Sequence, residues 1–393
     1  MAHLTEAQIV GLAGRTDPIH IVFNRHLNIV YGLNGTGKTS LMKILHSAMT
    51  GVADILENVP FKEASVSTYS VTYDKVFVRR IKKVAPPVED LDAKVEAELV
   101  SQMELLAIPI RSNVAPEKAL VWSQTPAIKG MTVNRWQHRY LPTARLHLGE
   151  GIIRMASNHG GQNSLSEERL DSYFAASLES LWSAYTTEML RKVRDSQERG
   201  LARILGAVLS PSNIREPQSG SIDLDRAYEC VMQFMKRHGP TNELATLEQF
   251  KERYKLEASL RQVVQDISRI EEDSATAMAP RTRLEEIIRR LFTGHKTISF
   301  TDNAIQVESA DKSKIGLASL SSGEKHLMRI LVEALLIEES TILIDEPELS
   351  MHVDWQTELV PTLRVLNPEA QFVLATHSPE VMASVPDDQV FAL

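Results

Sequence analysis

The sequence predicts an α/β fold: a P-loop head of mixed sheet flanked by helices, built as two lobes with a helical insertion between the lobes. Three observations carry this. GLNGTGKTS at residues 32–40 lies between an apolar, β-branched run and an amphipathic helical stretch. TILIDEPE at 341–348 and QFVLATHSP at 371–379 are apolar runs ending in chemistry-bearing residues, the pattern of buried parallel strands. Between these ends the chain carries apolar residues at three- and four-residue spacing, which reads as helix.

Residues 1–150 form the first lobe. Segments 19–23 and 27–31 read as paired strands, and 65–73 with 76–82 as a hairpin. Past Lys83 the stretch VEDLDAKVEAELVSQMELL reads as a helix, and TARLHL at 143–148 ends the region. Residues 151–280 form the insertion. A helix from 164 onward meets a breaker at 210–220, followed by helices at 222–237 and 243–272. No heptad is sustained, so a compact bundle or short coiled coil is expected rather than a long rod. Residues 281–393 form the second lobe, with a helix at 281–292, a hairpin of 297–300 and 304–307, and a helix at 323–337 before the two apolar strands.

The chemistry follows from residue types at these strand ends. Gly32, Gly37, Lys38 and Thr39 fit the P-loop pattern, with Asn34, Gly35 and Ser40 completing the loop and first turn. Glycines let backbone N–H groups curl around phosphates, and the helix N-terminus adds partial positive charge. Lys38 would reach the β- and γ-phosphates of ATP, and the Thr39 hydroxyl would coordinate Mg²⁺. Asp345 would hold the same ion and Glu346 would polarise the attacking water, although adjacent acids before Pro347 also suit a helix start. His377, 32 residues beyond Asp345 (377 − 345), is placed to meet the γ-phosphate and orient that water. LSSGEK opens the helix at 323–337. Ser321 with the amides of Ser322 and Gly323 makes an anion site there, and LSSGE is equally an ordinary serine cap with glutamate in the first turn.

The four motifs in this order resemble the ABC-type ATPase heads of the SMC, RecF and OLD group. LSSGEKH and IDEPELSMHVDWQ resemble its OLD-like branch of AAA-named ATPases. The resemblance covers roughly residues 18–82 and 290–390. It implies that two heads close face to face on ATP, with Ser321, Ser322 and Gly323 reaching a phosphate held by another copy. It further implies a homo-oligomer, a dimer of heads or a larger ring. Such a scaffold would control a separate effector, a TOPRIM or HNH nuclease or other toxin, in bacterial anti-phage systems of the PARIS-like or Septu-like kind, with slow turnover as consistent as fast. Three departures stand out. His352 occupies the place of the transporter D-loop aspartate, with Asp354 nearby, and the Mg²⁺-sensing glutamine is unplaced, Gln124 being a weak candidate and Gln102 a weaker one. Only 16 residues follow His377 (393 − 377), which leaves no room for the TOPRIM domain of OLD proteins.

Composition narrows the alternatives. A net charge of −8 argues against an overall nucleic-acid-seeking surface. Two basic clusters, Arg79-Arg80 with Lys82-Lys83 and Arg135-His138-Arg139 beside Trp136 and Tyr140, are either local nucleic-acid contacts or solvated surface charge. A RecF-like or break-repair-type DNA clamp is therefore the competing function. The single cysteine, Cys230, excludes an internal disulfide, and no signal peptide or long apolar run is present, so a cytoplasmic chain without a membrane span is expected. The twelve histidines show no metal-ligand pattern.

Overall fold

The computed structural model describes residues 2–83, 120–126, 136–143, 167–209, 223–238, 246–294 and 296–393. The chain divides into two units, Met1–Phe174 with Leu320–Leu393, and Ala175–Ser319.

The first unit opens with β1 (Ala2–Val10), β2 (Ile19–Val22), β3 (Leu27–Tyr31), α1 (Lys38–Thr50), β4 (Glu63–Ser70), β5 (Lys75–Lys82), β6 (Ser123–Thr125) and β7 (His138–Leu141). An antiparallel sheet takes the order β2-β1-β4-β5-β6. The sequence reading assigns no strand to residues 2–10. A register shift between Leu4 and Glu6 breaks the alternation there, so Leu4, Ala7 and Ile9 all reach the core although their spacing is uneven. The expected pairing of 19–23 with 27–31 is not formed. β2 alternates exposed and buried positions and pairs with β1 at the edge of the antiparallel sheet, whereas β3 is buried on both faces and enters a different, parallel sheet. The expected helix after Lys83 lies outside the described residues.

The second unit is built on long helices. α2 (Glu167–Leu209) runs into it from the first unit, and α3 (Leu224–His238), α4 (Leu247–Leu256) and α5 (Ala258–Leu291) follow. α2 and α5 lie antiparallel. Ser196 Oγ donates to Asp273 at 2.9 Å, Arg203 Nε meets Asp266 at 3.1 Å, and Gly200 lets Ile270 close onto the α2 backbone. At about 1.5 Å per residue the 43 residues of α2 span roughly 64 Å. Apolar residues are buried on both helices, among them Leu178, Trp182 and Met189 on α2 and Ile267, Ile270 and Leu284 on α5. The helices expected at 243–272 and 281–292 are instead α4 and one 34-residue helix that continues through Pro280. Tertiary contacts offset the bond that proline removes: Arg281 pairs with Glu285 at 2.9 Å and donates to Phe300 O at 3.0 Å. The hairpin of β8 (Lys296–Phe300) and β9 (Ile305–Ser309), extended by β10 (Lys314–Ile315), grips both helices. The Trp182 indole donates to Thr301 O at 2.8 Å, and the Arg281 guanidinium stacks over the Trp182 ring.

The chain then returns to the first unit with α6 (Ser322–Leu336), β11 (Thr341–Asp345), α7 (Val353–Leu366), β12 (Gln371–Thr376), α8 (Pro379–Met382) and β13 (Val390–Ala392). An all-parallel sheet results, ordered β13-β3-β12-β11-β7. One core joins the two sheets through α1: Leu4, Ile9 and Val66 from the first, Leu41, Met42 and Leu45 from the helix, Val30, Leu343 and Val373 from the second. This is the α/β P-loop head that the motifs predict. Among the described residues, no helix is long and apolar enough to cross a membrane.

Gln371, at the first position of β12, is fully buried and uses its whole amide. Oε1 accepts from Leu4 N and Thr341 Oγ1, and Nε2 donates to Leu4 O and Asn24 O, all at 2.8 Å. It stitches β1 to the parallel sheet. Gln371→Ala leaves these groups without partners and is expected to cost at least about 3 kcal/mol in urea unfolding; a loss under about 1 kcal/mol would mean that water replaces the amide.

Candidate active site

Strand register sets the site. In the parallel sheet Thr376 pairs with Tyr31, and Asp345 with Ala375. The P-loop leaving β3, the Thr376-His377 exit of β12 and the Asp345-Glu346 exit of β11 therefore emerge side by side at one edge. That edge, the C-terminal end of parallel strands, is where open α/β sheets bind ligands.

After β3 the loop turns into α1 at Gly37, whose φ of 101° belongs to the left-handed region. A Cβ there would also stand 3.2 Å from Ala13 Cβ, since the Gly11–Gly14 turn packs behind the loop. Asn34, Gly35 and Thr39 are exposed, Ser40 is half-buried, and Lys38 is buried. Lys38 Nζ donates to Gly32 O at 2.7 Å and Leu33 O at 3.3 Å, and lies 3.3 Å from Glu346 Oε1. Exposed N–H groups at the start of a helix, with a lysine beside them, make a site for phosphate.

Asp345 ends β11 fully buried, and neither carboxylate oxygen has a hydrogen-bond partner. Burial holds this carboxyl above the ordinary carboxylate range, against opposing contributions from the Thr39 and Thr143 side chains. A bound divalent cation reverses that balance, so the residue fits Mg²⁺ chemically. Glu346 takes a left-handed backbone, φ 53°, while its N–H donates to Ala375 O at 2.8 Å. Its carboxylate is held at both ends, by Lys38 at Oε1 and by the His377 imidazole at Oε2. Lys38, Glu346 and His377 are thus brought into one chain of contacts.

Glu348 belongs to this cluster although the sequence reading gives it no role. It is 5 % exposed. Its Oε1 accepts from Thr376 Oγ1 at 2.5 Å, His377 N at 2.9 Å and Ser378 N at 3.2 Å, and lies 3.1 Å from His377 Nδ1. Burial raises its pKa. It fastens the loop after Glu346 to the exit of β12, beside His377. A second acid two residues beyond Glu346 was the available signal.

At the start of α6, Ser321 forms a capping box. Its hydroxyl accepts from Glu324 N at 3.3 Å, and Glu324 Oε2 accepts from Ser321 N at 2.6 Å. Ser321 and Ser322 are exposed, whereas Gly323 is buried against the loop that follows Glu346, where a Cβ would meet Ser350 O at 2.3 Å. One turn on, the buried His326 ring donates from Nδ1 to Leu349 O at 2.6 Å. The motif start and the Glu346 loop therefore form one packed corner. His352 caps α7, its Nδ1 accepting from Asp354 N at 3.4 Å.

Other sequence candidates resolve into structural parts. Gln124 Oε1 accepts from Arg79 Nε at 2.9 Å on β6, and Gln102 lies outside the described residues. Arg79 is buried, its guanidinium over Trp136 and donating to Ala48 O and Met49 O at the end of α1; burial pushes its pKa down to about 10. Trp136 is itself buried, Arg139 lies 3.4 Å from Glu333, and Lys83 donates to Glu57 O and Val59 O. Arg79 and Trp136 are therefore core residues rather than a nucleic-acid platform, whereas Arg80, Lys82 and Arg139 are exposed, as surface charge is. Arg135 lies outside the described residues.

Two family profiles match the chain: "AAA domain" over residues 14–125, and "AAA domain, putative AbiEii toxin, Type IV TA system" over residues 194–383. The P-loop lies within the first match, and the α6 motif, Asp345, Glu346 and His377 within the second, so each half of the site falls in a stretch similar to an AAA domain. The chain is 34% identical over 91 residues to the "Retron Vc95 probable ATPase" of Vibrio cholerae serotype O1 biovar El Tor, covering 20% of this chain and 18% of that protein. It is 30% identical over 98 residues to the "Retron Ec83 probable ATPase" of Escherichia coli, covering 21% and 18%. The chain thus matches less than a fifth of the length of each. Among solved structures, the Smc head domain of Pyrococcus furiosus, bound to the C-terminal domain of ScpA, aligns at TM-score 0.43 and 14% identity over 98% of this chain and 92% of that one. The SMC head domain of Thermotoga maritima aligns at 0.39 and 11% over 97% and 91%. These overlays are loose, and the fold rests on strand order and loop geometry instead.

Gly323→Ala must displace a backbone carbonyl rather than a flexible side chain. It is expected to lower stability by about 1–3 kcal/mol in thermal unfolding. Gly294→Ala, with open space at its Cβ position, should leave the transition unchanged.

Proposed function

We propose that this chain is an ATPase whose heads assemble face to face on ATP and which serves as a sensor and scaffold for a separate effector protein in bacterial anti-phage defence. The observation that carries the reading is the contact chain Lys38–Glu346–His377 at three adjacent parallel strand ends, beside the unpartnered Asp345 carboxylate. The likeness to two proteins named as probable retron ATPases supports the defence setting.

The chemistry follows from these side chains. The amides of Gly35, Gly37 and the first turn of α1 receive the phosphates, and Lys38 transfers its charge from Gly32 O and Glu346 to them. Glu346 Oε1 is thereby released to accept a proton from the attacking water, while His377 keeps Oε2 in place and donates toward the γ-phosphate. Thr39 and Asp345 hold Mg²⁺, which supplies neutralisation of phosphate charge when bound. Ser321 and Ser322, exposed at the start of α6, with the amide of the buried Gly323, complete the phosphate shell of a second copy. Because α6 packs on the Glu346 loop through Gly323 and His326, closing on a partner's nucleotide bears directly on the copy's own carboxylates.

Phosphate release should fall about 100-fold or more in Lys38→Ala and in Glu346→Gln. Mass photometry separates binding from turnover. Glu346→Gln with ATP should form dimers or larger closed assemblies that vanish when Lys38→Ala is added. A monomer under every condition overturns the self-assembling scaffold. For the defence role, phage plating on cells carrying this chain with its neighbouring gene should drop, and Lys38→Ala should restore it; equal plating with and without the intact pair would remove that assignment.

A further inference from the structure

We propose that Glu348 is a positioning residue for ATP hydrolysis, its carboxylate sharing the His377 Nδ1 proton with Glu346. The shared proton fixes the imidazole as the Nδ1–H tautomer and leaves Nε2 as the ring nitrogen available to the nucleotide. This rests on the nucleotide-site reading above and adds to it a residue with no assigned part in the reaction. The surroundings of Nδ1 carry it. That nitrogen meets Glu346 Oε2 and lies 3.1 Å from Glu348 Oε1. Ionised carboxylate oxygens only accept, so Nδ1 bears the proton between them.

Fastening the loop does not by itself account for a carboxylate at this position. Glu348 Oε1 accepts from Thr376 Oγ1, His377 N and Ser378 N, and a neutral amide oxygen could accept from the same three donors. Glu348 Oε2 is buried with no hydrogen-bond partner, so the loop leaves half of the carboxylate unused. A buried carboxylate is costly unless its charge meets an opposite one or a polarised proton. The titratable base in contact with Glu348 is the His377 ring, whereas Lys38 is held by Glu346 Oε1, Gly32 O and Leu33 O. A single oxygen, Oε1, thus grips His377 at its backbone N–H and at its ring. Sharing also bears on Glu346. With Glu348 beside it, Glu346 does not hold the imidazole proton alone, and its carboxylate stays available to the attacking water.

Glu348→Gln separates the two roles, because it keeps an acceptor for the donors of the loop and removes the charge. Its melting temperature and its KM for ATP should stay near those of the parent, while kcat should fall about tenfold or more. A parent-like kcat, or a loss of kcat matched by a lower melting temperature, overturns the assignment and leaves Glu348 a fastener of the loop. NMR of the imidazole nitrogens in the nucleotide-free parent, with His377→Gln identifying the signal, reads the tautomer without any substitution at Glu348. A protonated Nδ1 is expected; a proton on Nε2 alone overturns the assignment even where Glu348→Gln does not fold. A parent protein whose ATP turnover is absent, or unchanged by Lys38→Ala, overturns the nucleotide-site reading and the part of Glu348 in hydrolysis with it.

Discussion

The arrangement depends on one constraint: β3, β12 and β11 are parallel neighbours that end together. Parallel pairing with fixed register puts the P-loop within side-chain reach of His377 and Glu346 although it lies hundreds of residues from them in sequence. Slipping a strand by one residue would turn its buried face outward, and with both faces buried the sheet does not tolerate that. The Gln371 amide reinforces the register at the opposite end of β12, bonding to β1, to β11 and to the turn before β3.

Around that edge the protein keeps polar groups in unfavourable settings. Asp345 is a buried carboxylate with no donors, and Glu346 and Ser350 adopt left-handed backbone on the same short loop. Such strain persists only where neighbours impose it. Glu348 supplies one restraint from the β12 side and His326 another from α6. The loop is consequently shared between the carboxylates that face the strand ends and the serine-capped helix that faces outward.

The long helical pair is held by different means. Its contacts include side-chain hydrogen bonds and ion pairs such as Arg203–Asp266, with Gly200 admitting Ile270, beside buried apolar residues such as Trp182, Met189 and Ile267, and a separate small cluster gathers Ala227, Phe250 and Val264. The break expected between the helices at 243–272 and 281–292 is absent: the helix runs through Pro280, and Arg281 and Leu284 find partners or burial beyond it.

The sequence alone determined the local pieces: the P-loop between strand and helix, the acidic end of β11, His377 after β12, and the serine cap with its glutamate. Each is a short covalent pattern whose chemistry is complete within a few residues. What the tertiary structure decided is which distant groups meet. Arg79 and Trp136 looked like surface charge and an aromatic platform, yet they stack in the core, because basic residues carry no mark of burial until a carbonyl-rich helix end such as that of α1 is packed against them. Segments 19–23 and 27–31 looked like partners but went to different sheets, since alternation states which faces are buried and not against what. Glu348 gained its place beside His377 only through strand register, a property of pairing between separate segments of the chain, which no local spacing encodes.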